Sequence, residues 1–153
     1  NDSMGNYVAL ELINEMEKKK INVRKSKILI MGLTFKENCA DTRNSGVKSV
    51  VEVLKKMVDT VFVTRGRDGS WASSPTEEKV TVGVFPTNAI DTTGAGDLFA
   101  AGALYGIAKN YNLKESAIIG SYCASEVVSH MGGRMPIESG DDINNIIKKY
   151  QGL

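Results

Sequence analysis

The sequence predicts a three-layer α/β protein, in which a mixed, mainly parallel sheet carries helices on both of its faces. Three observations predict this class. Short continuous apolar runs, typical of buried strands, alternate with segments of helical periodicity. The order strand, helix, strand in the first half implies a right-handed parallel unit. The chain has 153 residues, of which 42% are hydrophobic, and this is enough for one compact core or two small ones.

The first half of the chain predicts two helices and two strands. A helix capped by Asp2 or Ser3 runs to about Lys20. Its apolar arc is wider than a surface helix needs, so the sheet, a partner chain or both must cover it. The residues of this arc are Met4, Val8, Leu12 and Met16, flanked by Tyr7, Leu10 and Ile13. The elements that follow are a buried strand at 27–31, a helix at 47–58 and a strand at 60–64.

The second half predicts a hairpin followed by three helices. After a turn at 67–69, the two strands of the hairpin are 70–72 and 80–84. A helix at 94–109 has one apolar side, formed by Leu98, Ala101, Leu104, Tyr105 and Ala108. Its Gly102 and Gly106 let it pack closely against another element. The last two helices are 113–131 and one that Asp141 or Asp142 caps.

Composition excludes several classes of protein. Nineteen Lys and Arg residues against eighteen Asp and Glu give a formal charge of +1, which offers no electrostatic case for a nucleic-acid or membrane-surface partner. The apolar runs are too short to cross a bilayer. Two cysteines and one histidine build neither a zinc site nor a disulfide framework. We therefore expect no metal site and a cytoplasmic location.

The segment Asp91–Asp97, with the sequence DTTGAGD, is the sharpest candidate for chemistry. Glycines on both sides of Ala95 let consecutive backbone N–H groups point into one concavity, at the start of a helix. Thr93, Gly94, Ala95 and Gly96 therefore predict an anion hole for a transferring phosphoryl group. Asp97 lies in the first helical turn, where its carboxylate can accept a proton from an attacking hydroxyl.

Residues 59–152 resemble the C-terminal part of PfkB/ribokinase-family carbohydrate or nucleoside kinases, whose signature reads here DTTGAGDLFAAG. The resemblance implies that Asp97 is the catalytic base and that ATP with Mg²⁺ is the phosphate donor. The segment 64–69 is similar to the family's T-x-G-x-x-G nucleotide loop, and two later segments correspond in order to those that flank the adenine. The nucleotide-binding residues implied in this way are Thr64, Gly66, Gly69, Ser121 and Ser125, with His130–Gly133 close by.

Residues 1–56 resemble nucleotide-sugar 6-dehydrogenases of the UDP-glucose and UDP-N-acetylhexosamine type. The first helix resembles their central dimerisation helix, which implies a homodimer through residues 3–19. The stretch GLTFKENCADTRNS resembles the start of their UDP-sugar domain, where Lys36 would contact the UDP-sugar and Arg43 would lie near the cofactor. We expect both contacts to be vestigial and no NAD to bind, because no G-x-G-x-x-G motif opens a βαβ unit.

The two resemblances suggest a chimera, engineered or recombined, which joins residues 1–56 and 59–153 into a single Rossmann-like domain spanning 1–153. We expect no complete active site, because nothing holds an acceptor near Asp97. At most, weak binding of ATP, ADP or phosphate remains. The alternatives are ATP-dependent phosphoryl transfer to a sugar or nucleoside hydroxyl, and a homodimer that serves interaction alone.

Overall fold

A computed structural model describes residues 2–30, 46–135 and 142–151. Within these ranges the helices are α1 Asp2–Lys18, α2 Gly46–Leu54, α3 Ala95–Ala108, α4 Leu113–Val128 and α5 Ile143–Gln151. The strands are β1 Lys27–Ile30, β2 Thr60–Thr64, β3 Ser70–Ser73 and β4 Val80–Val82. They form one mixed sheet in the order β1-β2-β3-β4. The predicted α/β class is confirmed, and so are the element types in the described ranges.

The chain divides into two compact units. The first comprises the described part of residues 1–65 together with 72–79, and the second comprises 66–71 and the described part of 80–153. The prediction of a single domain built from 1–56 and 59–153 stays a prediction.

The first unit contains a parallel pair of strands. β1 and β2 align so that Ile28 lies opposite Val61 and Ile30 opposite Val63, as the strand-helix-strand order predicts. The side chains of β2 are buried as far as Val63, but Ile28 to Ile30 of β1 are only half-buried. The predicted burial of the first strand is therefore too high, because β1 ends the row of strands and pairs on one side among those described.

Helix α1 packs against α2 with one flank of the predicted apolar arc. Ala9 and Ile13 are buried, whereas the predicted apolar stripe of Met4, Val8 and Leu12 is exposed. The small Ala9 allows close approach, so the contact line lies one residue further along the helix than the stripe of large side chains. The apolar arc is not covered within the described residues.

Helices α3 and α4 of the second unit meet along a seam of small residues. A Cβ added to Gly102 would lie 2.8 Å from the Cα of Gly120, and one added to Gly106 would lie 2.7 Å from the Cα of Ser116. The prediction that Gly102 and Gly106 permit close packing is thus confirmed.

The apolar side predicted for α3 is wrong. The buried residues of the helix are Phe99, Gly102, Ala103 and Gly106, whereas Ala101, Leu104, Tyr105 and Ala108 are exposed and Leu98 is half-buried. The face lined with glycines is the one that packs, because it brings the two backbones together.

Two local devices fix the ends of the later helices. Asn112 caps α4 in a reciprocal arrangement: its Oδ1 accepts from the Glu115 N–H at 2.9 Å, and Glu115 Oε2 accepts from the Asn112 N–H at 3.1 Å. Tyr150 of α5 accepts a hydrogen bond from the Gly83 N–H at 2.8 Å. None of the helices in the described ranges has the length and apolar character needed to span a membrane.

Candidate functional site

The N-terminus of α3 is left without a side-chain cap. Gly94 precedes the helix in the left-handed conformation, with φ of 80°, and no side chain accepts from the first-turn amides. The helical ladder starts with the bond from the Leu98 N–H to the Gly94 carbonyl, at 2.9 Å. The N–H groups of Gly96 and Asp97 therefore precede the ladder, and we find no acceptor for them among the described residues. Such N–H groups, at the positive end of the helix dipole, suit an anion.

The residues of the predicted anion hole lie on one short stretch, and the hole itself stays a prediction. Its Thr93 N–H is already used in a hydrogen bond of 2.9 Å to Asp91, and that of Ala95 reaches the Thr92 carbonyl at 3.3 Å. The N–H groups that remain as donors are those of Gly94, Gly96 and Asp97. The Asp97 side chain is exposed on the same first turn, which places it where the predicted base is needed.

Asp91 ties the approach to α3 to the loop after α4. One carboxylate oxygen accepts from the Thr93 N–H at 2.9 Å, and the other accepts from the Gly132 N–H at 2.9 Å. Hydrogen bonds from the Thr93 hydroxyl, the Thr93 N–H and the Gly132 N–H lower the pKa of Asp91, against the raising effect of partial burial. The Val128 carbonyl also accepts from the Ile90 N–H at 2.7 Å and from the Asp91 N–H at 3.2 Å.

The same two loops approach each other at a pair of glycines. A Cβ on Gly94 would lie 2.8 Å from the Cα of Gly133, whereas a Cβ on Gly133 would meet Gly94 at an ordinary 3.6 Å. Gly94 is therefore required both for its positive φ and for the close contact. The roles of Asp91 and Gly133 were not predicted, although an Asp two residues before a Thr is a signal for an Asx turn.

The predicted nucleotide loop is divided between the two units. Thr64 closes β2 of the first unit, while Gly66 and Gly69 lie in a turn of the second unit, where the Gly69 N–H donates to the Gly66 carbonyl at 3.1 Å. Gly69 has a positive φ of 76°, and a side chain there would overlap the Val82 carbonyl oxygen. The turn before β3 therefore has the backbone conformation that the loop motif requires, and its nucleotide contact stays a prediction.

The hydroxyls of Ser121 and Ser125 already have partners within the second unit. Ser121 is buried and donates to the Gly83 carbonyl at 2.7 Å, and Ser125 donates to the Tyr122 carbonyl at 2.8 Å. Ser125 also lines a small cavity of about 130 Å³, whose other walls are Phe85, Pro86, Tyr122, Glu126 and Lys149. This is below the usual range of about 300–1,000 Å³ for ligand pockets. The predicted nucleotide contacts of the two serines stay predictions.

His130 closes the end of α4. Its Nδ1 lies 2.8 Å from the Ser129 hydroxyl and 3.2 Å from the Glu126 carbonyl oxygen. The predicted vestigial contacts Lys36 and Arg43 lie outside the described residues. In the part of the chain that the structure describes, no cluster of three or more His, Cys, Asp or Glu side chains is suited to a metal ion.

Comparison with known proteins assigns the family. A family model for the pfkB family carbohydrate kinases matches residues 11–139, which is most of the chain. The chain therefore belongs to this family. The kinase likeness predicted for residues 59–152 is confirmed, and the match extends it towards the N-terminus, as far as residue 11. The segment before residue 56 has features of both families.

Individual relatives support both resemblances. The chain is 32% identical over 106 residues to 5-dehydro-2-deoxygluconokinase of Shouchella clausii, which covers 69% of this chain and 32% of that protein. It is 57% identical over 56 residues to UDP-N-acetyl-D-glucosamine 6-dehydrogenase of Salmonella typhi, which covers 37% of this chain and 13% of that protein. The chain thus combines a dehydrogenase-like segment with a PfkB kinase part, and it spans about a third or less of the length of these curated relatives.

A solved structure extends the fold likeness to the whole chain. A probable sugar kinase from Rhizobium etli superposes with a TM-score of 0.65 at 20% identity, covering 100% of this chain and 43% of that one. At this identity the match concerns the fold alone. The superposition includes the segment that resembles a dehydrogenase in sequence, so this segment is compatible with a place in the kinase fold.

Proposed function

We propose that the chain binds the phosphate groups of a nucleotide, ATP or ADP with Mg²⁺, at the N-terminus of α3. The observation that carries the proposal is the uncapped helix start, where left-handed Gly94 leaves the amides of Gly96 and Asp97 available. Backbone N–H groups and the helix dipole both favour an anion at such a position. Membership of a carbohydrate-kinase family supports a nucleotide phosphate as that anion. A cytoplasmic location, where ATP is available, is part of the same proposal.

The second candidate function is ATP-dependent phosphoryl transfer to a sugar or nucleoside hydroxyl. It is supported by Asp97, whose exposed carboxylate stands on the same turn as the proposed phosphate site. In this reaction Asp97 would accept the hydroxyl proton while the α3 amides stabilise charge on the transferred group. Phosphoryl transfer depends mainly on positioning of both substrates. We propose that the chain alone supplies the phosphate cradle and the base but not the acceptor site.

A chimeric origin, engineered or recombined, is the accompanying proposal. Two unrelated enzyme families match within one chain. The sequence identity is 57% to the dehydrogenase and 32% to the kinase. Strand-helix-strand units of the two parents could be exchanged without changing parallel pairing or handedness. Under this proposal the UDP-sugar and cofactor contacts of Lys36 and Arg43 have lost their ligands.

A homodimer through residues 3–19 is proposed on the exposure of α1. Met4 and Tyr7 are 61% and 62% exposed, and Val8, Leu10 and Leu12 are exposed beside them. Contiguous apolar surface of this kind is typical of an interaction site. Sedimentation at high micromolar concentration tests it: Val8→Lys is expected to convert a dimer to a monomer, while Lys114→Glu, at an exposed position outside this segment, serves as the surface control. A wild-type monomer would contradict the dimer.

Titration with Mg·ATP tests the phosphate site. Amide shifts are followed by NMR, and we expect the largest changes at residues 93–98, with weak affinity because the donors are mostly backbone groups. Gly94→Ala should weaken binding at least about tenfold, since it forces the amides out of position. Gly133→Ala is the matched control, because its added Cβ meets only ordinary contacts. Uniform small shifts, or none, would reject the site.

Turnover separates the two functions. ADP release is measured with a panel of sugars and nucleosides for the wild type, Asp97→Asn and the control Asp59→Asn. If the chain only binds phosphate, no variant turns over, and Asp97→Asn binds Mg·ATP as well as or better than the wild type because one negative charge is removed. Acceptor-dependent turnover that Asp97→Asn abolishes and Asp59→Asn retains would establish the kinase alternative.

A further inference from the structure

We propose that Asp91 is a positioning residue, which holds the N-terminus of α3 in its anion-binding conformation by clamping the loop after α4 to the loop before α3. The inference rests on the phosphate site proposed above. The Asp91 carboxylate binds two segments that are far apart in sequence. One oxygen accepts from the Thr93 N–H and the other from the Gly132 N–H, each at 2.9 Å. Each bond joins a charged acceptor to a backbone donor, which makes it stronger than a neutral pair.

The clamp acts at the point where the backbone is most constrained. Gly132 precedes Gly133, and a Cβ added to Gly94 would lie only 2.8 Å from the Cα of Gly133. Gly94 in turn is the residue whose left-handed conformation opens α3. The hydrogen bond from the Gly132 N–H to Asp91 therefore holds Gly133 against Gly94. The hydrogen bond from the Thr93 N–H to Asp91 fixes the residue before Gly94.

A second tether makes the arrangement rigid. The Val128 carbonyl, at the end of α4, accepts from the amides of both Ile90 and Asp91. The chain entering α3 is thus bound to the end of α4 through the backbone and to the following loop through the Asp91 carboxylate. The depressed pKa of Asp91 agrees with a carboxylate that donors hold in its charged form.

Electrostatics makes the proposal testable, because charge and positioning predict opposite effects. Removing the negative charge of Asp91 near a phosphate site should strengthen phosphate binding if charge alone matters. If Asp91 positions the amides, its removal weakens binding. Asp91→Asn has the same charge change but keeps one carbonyl oxygen for one of the two N–H groups, so it separates the two effects.

The experiment uses the full chain with inorganic phosphate as probe. Hydrogen exchange is measured at the amides of Thr93 and Gly132, and phosphate affinity is measured from the amide shifts of residues 94–97. We expect Asp91→Ala to accelerate both exchange rates about tenfold and to weaken phosphate binding about tenfold. Asp91→Asn should recover part of both losses.

The urea midpoint is measured alongside, because a merely structural role would change stability without selectively affecting affinity. Asp59→Asn, an exposed carboxylate of the first unit, is the control and should change neither quantity more than about twofold.

The outcomes separate this inference from the proposed function. Unchanged exchange at Gly132 in Asp91→Ala, or phosphate binding as tight as in the wild type, overturns the clamp. If the wild type binds no phosphate, the proposed function fails, yet faster exchange together with shifted 94–97 amides in Asp91→Ala still supports the clamp. If Asp91→Ala does not fold, Asp91→Asn decides the matter: loss of protection at one of the two amides supports the clamp, and retention at both contradicts it.

Discussion

Helix α1 of the first unit leaves large apolar side chains exposed, whereas α3 and α4 of the second unit approach until glycine Cα atoms meet the neighbouring backbone. In α1 the buried line consists of Gly5, Ala9 and Ile13, and the helix packs against α2. In the second unit, the absence of side chains at Gly102 and Gly120 determines the packing. The contact between α3 and α4 therefore depends on particular glycines.

This difference gives a physical account of the two resemblances. A helix-strand-helix-strand segment with ordinary packing can come from a sequence like that of a dehydrogenase and still match a kinase fold. The glycine-rich second unit carries the kinase signature, in which Gly94 opens α3, while Gly102 and Gly106 within the helix permit its close packing on α4. Gly94 and Gly102 lie eight residues apart on one element.

The largest expected effect tests which face of α1 is buried. Ile13→Ala, where the side chain is 5% exposed, should lower the free energy of unfolding by about 3 kcal/mol. Leu12→Ala, at 38% exposure, should lower it by less than about 1 kcal/mol. Urea unfolding followed by circular dichroism, at low protein concentration, measures both. Equal losses would mean that Leu12 packs inward as much as Ile13 does.

The next effect tests the glycine seam. Gly102→Val places a branched side chain against the Gly120 Cα and the Ile119 carbonyl oxygen, and it should lower the free energy of unfolding by about 2–3 kcal/mol. Ala101→Val, at the exposed neighbouring position, should cost only about 0.5 kcal/mol of helix propensity. The same urea assay compares them. A small loss in Gly102→Val would show that α3 and α4 can separate without penalty.

Much of the fold could be predicted because apolar runs and helical periodicity reflect local preferences. β2 was predicted with its observed bounds, and α1, α3 and α4 to within a few residues. The face of α3 was mispredicted because large apolar residues were assigned to the interior, although the contacts are made by small ones. For α1 the prediction left the cover of the apolar arc open between the sheet and a partner chain, and only Ile13 of this arc is buried. Hydrophobic pattern indicates how much apolar surface a helix has, but close packing is decided by the shape of the partner.

For the site, the local part was predictable and the long-range part was not. The residues proposed for the anion hole belong to one contiguous motif, so Thr93–Gly96 and Asp97 lie together at the start of α3. Gly132 and Gly133 lie some forty residues away in sequence, and their approach to Asp91 and Gly94 depends on how α3 packs on α4. Local preference carries no information about such a contact. The capping box of Asn112 and Glu115, by contrast, could have been read from its N-x-x-E pattern.

A smaller effect compares the two glycines at the site. Gly94→Ala must adopt a positive φ of 80° and overlap Gly133, so the free energy of unfolding should fall by about 2 kcal/mol. Gly133→Ala should lower it by less than about 1 kcal/mol, since its Cβ meets Gly94 at 3.6 Å. Thermal unfolding of the two variants makes the comparison. Losses of the same size would indicate that the left-handed conformation of Gly94 is not enforced by its neighbour.

The smallest effect concerns pH and tests the ionisation of the Asp91 carboxylate, which joins the two loops of the second unit. Because hydrogen bonds from Thr93 and Gly132 lower the pKa of Asp91 below its ordinary 3.8, the clamp is fully formed above that value. It is lost only as the pH falls through the lowered pKa of the folded state. The amide shifts of Thr93 and Gly132 should therefore stay constant from about pH 7 to 5 and move together below about pH 3.8.

Two observations test this assignment. In Asp91→Asn the joint movement of the Thr93 and Gly132 shifts should disappear, because no carboxylate titrates at that position. A shared midpoint above 3.8 in the wild type would mean that the hydrogen bonds do not favour the charged form. In that case the two N–H donors would contribute little to holding the loops together, and the α3 N-terminus would depend on the Gly94–Gly133 contact and the Val128 tether alone.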